Sequence, residues 1–406
     1  MTGSVGVIRV GIAGLGAAGQ AFVPALQGHT GFAWVALAEP VDAVREQQAA
    51  RHGVAAYDSL PGLLAHPGLD AVIIATPTPL HAAQAQQAAA AGLHVLVEKP
   101  MAVTLDDARV MVQACERAGV VLLVGHSHGY DAPIAAMRQV IDDGTLGAVG
   151  MVHTWCYSDW VWRPRRSDEF DPAQGGGVTF RQGAHQFDIL RLLCGGRARS
   201  VRAKVFDWQP QRRTIGAHVA FVDFEDGPAA TAVYNGYGGF SSMDLCFDIS
   251  EWGLYQPPGL RPKLPAPGDA AAELQAKQAR AAGAISAVAP HTPFFGLTLV
   301  SCERGDIRQT PNGLRLYTRD GVSERPVAVD RSPRERVLDE WQTAVLRRAP
   351  ALHGGAWGLA NLELCVAALT SARTGREVHL QEQVALPARG EGSRVSPEPP
   401  ALTPPG

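Results

Sequence analysis

Val7-Ile8-Arg9-Val10-Gly11-Ile12-Ala13-Gly14-Leu15-Gly16-Ala17-Ala18-Gly19 decides how the chain is to be read. Its first half is a short run of β-branched and small residues, the pattern of a strand buried on both faces of a parallel sheet. Three glycines follow at once, with Leu15, Ala17 and Ala18 between them, and open an Ala-rich helical stretch. In that setting Gly14 permits a tight turn, Gly16 lets a pyrophosphate approach the backbone, and Gly19 lets helix and strand pack closely. The helix N-terminus then faces the phosphates. Glu39 ends a second strand, Trp34 to Ala38, twenty positions after Gly19. An acid there accepts hydrogen bonds from both ribose hydroxyls and repels a 2′-phosphate. No Arg or Lys follows before Arg45, so the expected cofactor is NAD, with NADP disfavoured.

Outward from this stretch, short strand-like runs alternate with helical ones up to Val124. Strands are expected at Ala71 to Ala75, His94 to Val97 and Val120 to Val124. Helices are expected at Pro79 to Ala91 and Leu105 to Ala118, with Gly92 and Gly119 as left-handed caps. Residues 1–128 therefore read as an α/β Rossmann domain. After Gly129 a helix, Ala132 to Asp143, gives way to strand-like runs at Val149 to Tyr157, Val201 to Trp208, His218 to Phe224, Ala229 to Tyr234, Leu297 to Cys302 and Leu314 to Thr318. Turn signals at Asp226-Gly227 and Asn312-Gly313 fit antiparallel neighbours. Residues 129–385 read as an α+β substrate and oligomerisation domain on one large, mostly antiparallel open sheet. Residues 255–293 look like an insertion carrying a helix over Asp269 to Ala282. Helices at Pro333 to Arg348 and Ala356 to Thr374 close the folded part, and 386–406, rich in Pro, Gly, Ser and Glu, is expected to be disordered.

Composition narrows the function. The 406 residues carry 36 basic and 39 acidic side chains, a net charge of −3. No basic field is present to gather nucleic acid or an anionic membrane, so a small-molecule partner is expected. There is no leader-like charged and apolar segment and no apolar run of about 18 residues that would span a bilayer. The six cysteines lie far apart with no C-x-x-C pair. A soluble cytoplasmic protein with reduced thiols is the expectation.

Three further segments go beyond a generic dinucleotide fold: Ala75-Thr76-Pro77-Thr78-Pro79-Leu80-His81, Glu98-Lys99-Pro100, and Gly175-Gly176-Gly177 leading to Gly183-Ala184-His185-Gln186-Phe187-Asp188. In this order and spacing the chain resembles the Gfo/Idh/MocA oxidoreductases from Ile8 to Leu380. The resemblance implies that Thr76, Pro77, Thr78 and His81 line the nicotinamide ribose, and that Glu98 and Lys99 stand against the cofactor. It also implies that Lys99 and His185 face each other from the two domains. A Lys at the carboxyl end of a parallel strand lies where open α/β sheets bind ligands. His185, with an ordinary pKa near neutrality, is the candidate general base, assisted by Lys99; a satisfied core histidine is the alternative. For His81, a cap or packing role stands beside the ribose contact.

Family members commonly carry an Asp four residues before this His; here the position is Arg181. Asp188, one helical turn after His185, is expected either to orient the imidazole at the substrate or to form a structural pair. Trp162-Arg163-Pro164-Arg165-Arg166 follows Trp155, Tyr157 and Trp160. Arg163, Arg165 and Arg181 with Tyr157 suit a ring bearing carboxylates, because the planar guanidinium pairs bidentately with carboxylate and stacks on flat faces. A solvated loop balanced by Asp168, Glu169 and Asp171 is the alternative. The wording of 162–166 and 175–193 is similar to a phthalate 4,5-cis-dihydrodiol dehydrogenase subgroup. That implies aromatic-compound catabolism, in which a carboxylated cyclic cis-diol is oxidised to a catechol. A sugar, inositol or neutral dihydrodiol dehydrogenase, and a non-catalytic NAD-binding regulator, are the rivals. His126-Ser127-His128 lacks a third ligand in sequence and reads as a junction loop near the nicotinamide, with no metal expected. The bare face of the large sheet implies a homodimer or homotetramer.

Overall fold

In the computed structural model, residues 6–257, 270–283 and 289–387 are described. The first sheet contains β1 (Ile8–Ala13), β2 (Phe32–Ala38), β3 (Ala55–Tyr57), β4 (Ala71–Ile74), β5 (His94–Val97) and β6 (Leu122–Val124), interleaved with α1 (Ala17–Gly28), α2 (Asp42–His52), α3 (Leu60–Leu64), α4 (His81–Ala90) and α5 (Leu105–Ala118). Its order is β3-β2-β1-β4-β5-β6, with every pairing parallel. The order reverses between β1 and β4, and ligands bind at the carboxyl ends beside such a switch point. The glycine turn and the 75–78 segment both leave the sheet there.

The second domain is built from α6 (Ala132–Asp142), β7 (Val149–Tyr157), α7 (Gly177–Arg181), α8 (Gly183–Leu193), β8 (Ala198–Phe206), β9 (Ala217–Phe224), β10 (Ala229–Asn235), α9 (Ala270–Gly283), β11 (Leu297–Cys302), β12 (Gly305–Thr310), β13 (Gly313–Thr318), β14 (Gly321–Pro326), α10 (Pro333–Arg347), α11 (Gly355–Thr374) and β15 (Val378–His379). The nine strands run β14-β13-β12-β11-β7-β10-β9-β8-β15. Every pairing is antiparallel except β7 with β10, which run parallel from Met151 opposite Ala229 to Tyr157 opposite Asn235. The two expected turns, at Gly227 and Gly313, join β9 to β10 and β12 to β13.

Helices α8 and α11 cover one face of this sheet. On α8, Gln186 donates to the Thr154 and Val233 carbonyls at 3.2 and 3.0 Å and meets His218 at 3.0 Å, which fixes the helix against β7, β9 and β10. The opposite face stays bare, with Met151, Trp155, Val219 and Phe221 each more than 40% exposed. Helix α10, although distant in sequence, packs on the first domain: Val337, Leu338 and Trp341 join Val10, Phe22 and Leu26 in one core. The two domains also meet where α11 packs on α5 and β6, and where Lys99, just after β5, reaches Arg181 of α7. The tail expected to be disordered lies, from 388 on, outside the described residues. So do 258–269 and 284–288 of the expected insertion, whose helix appears as α9.

Candidate active site

The glycine turn forms a cradle. Gly14 has φ 85°, and a Cβ there would lie 2.9 Å from the Ala75 carbonyl, while a Cβ on Gly19 would strike the Gly14 oxygen at 2.0 Å. Both close approaches lock β1, α1 and the 75–78 segment together. A Cβ on Gly16 would meet nothing within 4 Å. That residue is the N-cap of α1 and brings no side chain to the helix end, so free N–H groups face open space, a donor set that fits a pyrophosphate. Glu39, 8% exposed, accepts from the Leu15 N–H at 2.9 Å and the Val41 N–H at 3.1 Å. The carboxylate thus stands at the lip of the turn and braces it. Arg45 is turned onto the Glu39 carbonyl at 2.9 Å and the Asp42 carboxylate at 2.6 Å.

Lys99 follows β5, and its Nζ donates to the Arg181 carbonyl at 2.9 Å across the domain junction. Burial first, and then the Arg181 guanidinium, lower its pKa from 10.5 to about 7. Neighbouring Glu98 is buried and ion-paired with Arg334 in the first turn of α10. Against the effect of burial, Arg334 and Lys99 hold the Glu98 carboxyl below its usual range.

On α8, His185 is 4% exposed and its Nδ1 has no hydrogen-bond partner among the described residues. Its ring stands edge-on to His128 at 4.5 Å and to Phe295 at 5.1 Å. Burial, and next the Lys99 charge, push its pKa well below 6.5, so it is a neutral imidazole within electrostatic reach of Lys99. Asn361 of α11 donates to the Ala184 carbonyl at 2.7 Å just ahead of it. The His126–His128 loop lies at this junction: Asp131 holds His128 at 3.0 Å, and burial lowers buried His126 to a pKa of about 4. Among the described residues no group of three His, Cys, Asp or Glu is arranged to hold a metal.

Several sequence expectations are corrected. Asp188 is fully buried; its Oδ1 accepts from Trp357 at 2.7 Å and faces His353 at 3.4 Å, so it forms the structural pair and does not face substrate. His81 is 1% exposed, and its two ring nitrogens lie against the Pro100 and Thr76 carbonyls at 3.0 and 2.9 Å. Both ring nitrogens are engaged, so it clamps the two loops and offers nothing to a ribose. Tyr157 shares with Met151 and Trp155 the sheet face away from α8, and packs against Phe240. Arg163 is taken up by Asp159 at 2.7 Å and Glu251 at 3.4 Å. Thr76 donates to Gln84 at 2.5 Å, Pro77 begins the 78–80 turn, and Thr78 accepts from Arg181 at 3.1 Å.

The remaining basic residues gather around a carboxylate. Glu169 is 1% exposed, and Arg165 at 3.4 Å, Arg181 at 3.1 Å and Lys277 all pair with it. Arg165 also lies over the buried Trp160 ring at 4.3 Å. Against burial, which would raise it, these three cations hold the Glu169 carboxyl far below its usual range. Sequence reading named Glu169 only within the alternative of a solvated loop, and missed Lys277, Glu273, Arg334 and Phe295 altogether. Lys277 and Glu169 are 108 residues apart, and no local pattern links them.

A nucleotide cradle, a lysine and an imidazole from separate domains, and a cation cluster beside them define a two-domain oxidoreductase of the dinucleotide-dependent class. A model of the oxidoreductase family with an NAD-binding Rossmann fold matches residues 8–126, and the GFO/IDH/MocA C-terminal domain matches 134–244. The chain is 34% identical over 378 residues to the 1-carboxy-3-chloro-3,4-dihydroxycyclohexa-1,5-diene dehydrogenase of Comamonas testosteroni, covering 90% of this chain and 95% of that one. It is 30% identical over 197 residues to the inositol 2-dehydrogenase of Rhizobium meliloti, covering 48% and 58%. A solved structure from Bordetella bronchiseptica RB50 superposes with TM-score 0.82 at 35% identity, covering 92% of this chain and all, 100%, of that one. The chain belongs to the Gfo/Idh/MocA oxidoreductase family and is an NAD-dependent dehydrogenase of it.

Proposed function

We propose that the substrate is a cyclic cis-diol bearing a ring carboxylate, of the cyclohexadiene type, and that its oxidation yields an aromatic catechol. The observation that carries this reading is the charge of the cluster: among the described residues Arg165, Arg181 and Lys277 share the carboxylate of Glu169, leaving an excess of positive charge beside Lys99. An anionic ring would satisfy that excess. The Comamonas relative acts, by its name, on a carboxylated dihydroxycyclohexadiene.

Bound NAD would be the hydride acceptor, seated on Gly14 to Gly19 with Glu39 toward its ribose and Thr76, Pro77, Thr78, Glu98 and Lys99 toward its nicotinamide end. Lys99, with a pKa of about 7, is in part a free amine at neutral pH and takes the hydroxyl proton at Nζ as the carbinol hydrogen leaves with its electron pair. Its basicity suits that role better than His185, whose pKa is pushed well below 6.5. His185 as a neutral imidazole orients the same hydroxyl and keeps charge away from it. Loss of the ring C–H and O–H hydrogens gives a hydroxy-ketone, which tautomerises to the catechol. The bare sheet face suits a homodimer or homotetramer.

NADH formation across cis-dihydrodiols with and without ring carboxylates, beside inositols and hexoses, tests the reading. Carboxylated diols are expected to give the highest kcat/KM; turnover confined to neutral sugars would reject it. Arg181→Asp should weaken carboxylated substrates more than neutral ones, and equal loss on both would make Arg181 purely structural.

A further inference from the structure

Helix α9 belongs to an expected insertion in the second domain, yet two of its side chains, one turn apart, reach the cation cluster. Glu273 is 9% exposed, pairs with Arg212 and accepts the Arg165 N–H at 2.9 Å. Lys277 pairs with Glu169. The helix also packs on α1, which leads out of the glycine turn, so it bridges the cofactor cradle and the arginine loop. From Lys99 the contacts run without a gap to the Arg181 carbonyl, from Arg181 to Glu169, and from Glu169 to Lys277.

The charges in this chain do not balance. Arg166 has Asp168 at 2.8 Å, Arg163 has Asp159 and Glu251, and Arg212 has Glu273. Among the described residues, Arg165, Arg181 and Lys277 pair with one carboxylate, Glu169. Lys277 is the adjustable member: its stem is flexible, and burial with the neighbouring Arg166 and Arg165 charges lowers its pKa to about 8 even with Glu169 beside it. An anion arriving at the cluster would relieve that repulsion.

We propose that α9 is a specificity element of the active site, and that Lys277 supplies the cation for a substrate carboxylate, sharing it with Arg165 and Arg181 while Glu273 keeps the helix in place. This rests on the anionic-ring reading above and adds a residue and an element to it. Lys277 holds substrate and takes no part in proton or hydride transfer.

The test is calorimetric titration of the full chain, loaded with NAD, with phthalate, benzoate and catechol as non-reacting probes. Lys277→Met is expected to weaken phthalate at least about tenfold and benzoate less, following the number of carboxylates, with Lys277→Arg recovering most of the loss. Phthalate binding as tight in Lys277→Met as in the unmutated chain, or equal loss down the series, would overturn the proposal. In the unmutated chain, where folding is not at issue, bound phthalate should slow acetylation of Lys277 by acetic anhydride, read on the peptide by mass; absence of protection counts against it equally. Failure to oxidise any carboxylated diol would sink the substrate reading but would leave Lys277-dependent phthalate binding standing, so the two failures are told apart.

Discussion

Burial and the Arg181 guanidinium hold Lys99 near its point of deprotonation at neutral pH, and this fixes the sign of the pH dependence. Below about 7 the ammonium cannot accept a proton, so kcat/KM for diol oxidation should climb as pH rises through that value and then level. Reduction in the reverse direction needs the ammonium and should fall over the same range. Lys99→Met should cost about 10²–10⁴ in kcat with NAD affinity retained; a variant with normal turnover would remove Lys99 from the proton transfer. At the glycine turn the clearance around Gly16 predicts a separable effect: Gly16→Ala should leave the thermal midpoint of the unliganded protein in place yet weaken NAD, measured by fluorescence titration. At this scale Gly14, Gly16, Gly19, Glu39, Lys99 and His185 were legible, because a strand and its turn carry their own local pattern. For Asp188 and His81 the sequence left a site contact and a structural role open, because the partners that decide between them, His353 and Trp357 for Asp188 and Pro100 for His81, come from other segments; Arg163 is likewise drawn to Glu251 as well as to nearby Asp159.

The Asp188 correction exposes a strut between elements. His353 lies between Asp188 of α8 at 3.4 Å and Glu340 of α10 at 3.3 Å, and Glu340 also accepts from Tyr130. Although burial alone would lower it, the two carboxylates raise the His353 pKa to about 10. A raised histidine stabilises the fold fully below its unfolded value and loses that contribution as pH climbs through the folded one. His353→Gln should therefore lose about 3–5 kcal/mol near neutrality, and its deficit against the unmutated protein, followed by denaturant unfolding, should shrink as pH approaches about 10. A deficit independent of pH would show that His353 is uncharged. Among elements, the long β-branched strands and capped helices were readable, while β14, whose residues are nearly all exposed, and the two-residue β15 were not. Edge strands of this kind bury too little to impose an alternating pattern. Nor does any local signal show that β7 and β10 run parallel, which depends on the chain between them returning across the sheet.

For the whole molecule, the reading of two domains held, but the packing of α10 on the first domain was invisible to a linear reading. So was the reach of α9 over the junction. The bare sheet face carries Met151, Trp155, Val219 and Phe221, and burying it between subunits would remove that apolar surface from water. Sedimentation should show a dimer or tetramer that Trp155→Asp with Phe221→Asp converts to monomer; a monomeric unmutated protein would contradict this use of the face. The central claim is that Lys99 and His185, one from each domain, meet at a single reacting carbon beside the cofactor. A crystal structure with NAD and a dihydroxybenzoate product tests it most directly. A product hydroxyl is expected within hydrogen-bond reach of Lys99 Nζ and the His185 ring, with the carboxylate toward Arg165, Arg181 and Lys277. A product bound elsewhere, or turned with its carboxylate toward Lys99 and its hydroxyls away, would contradict it.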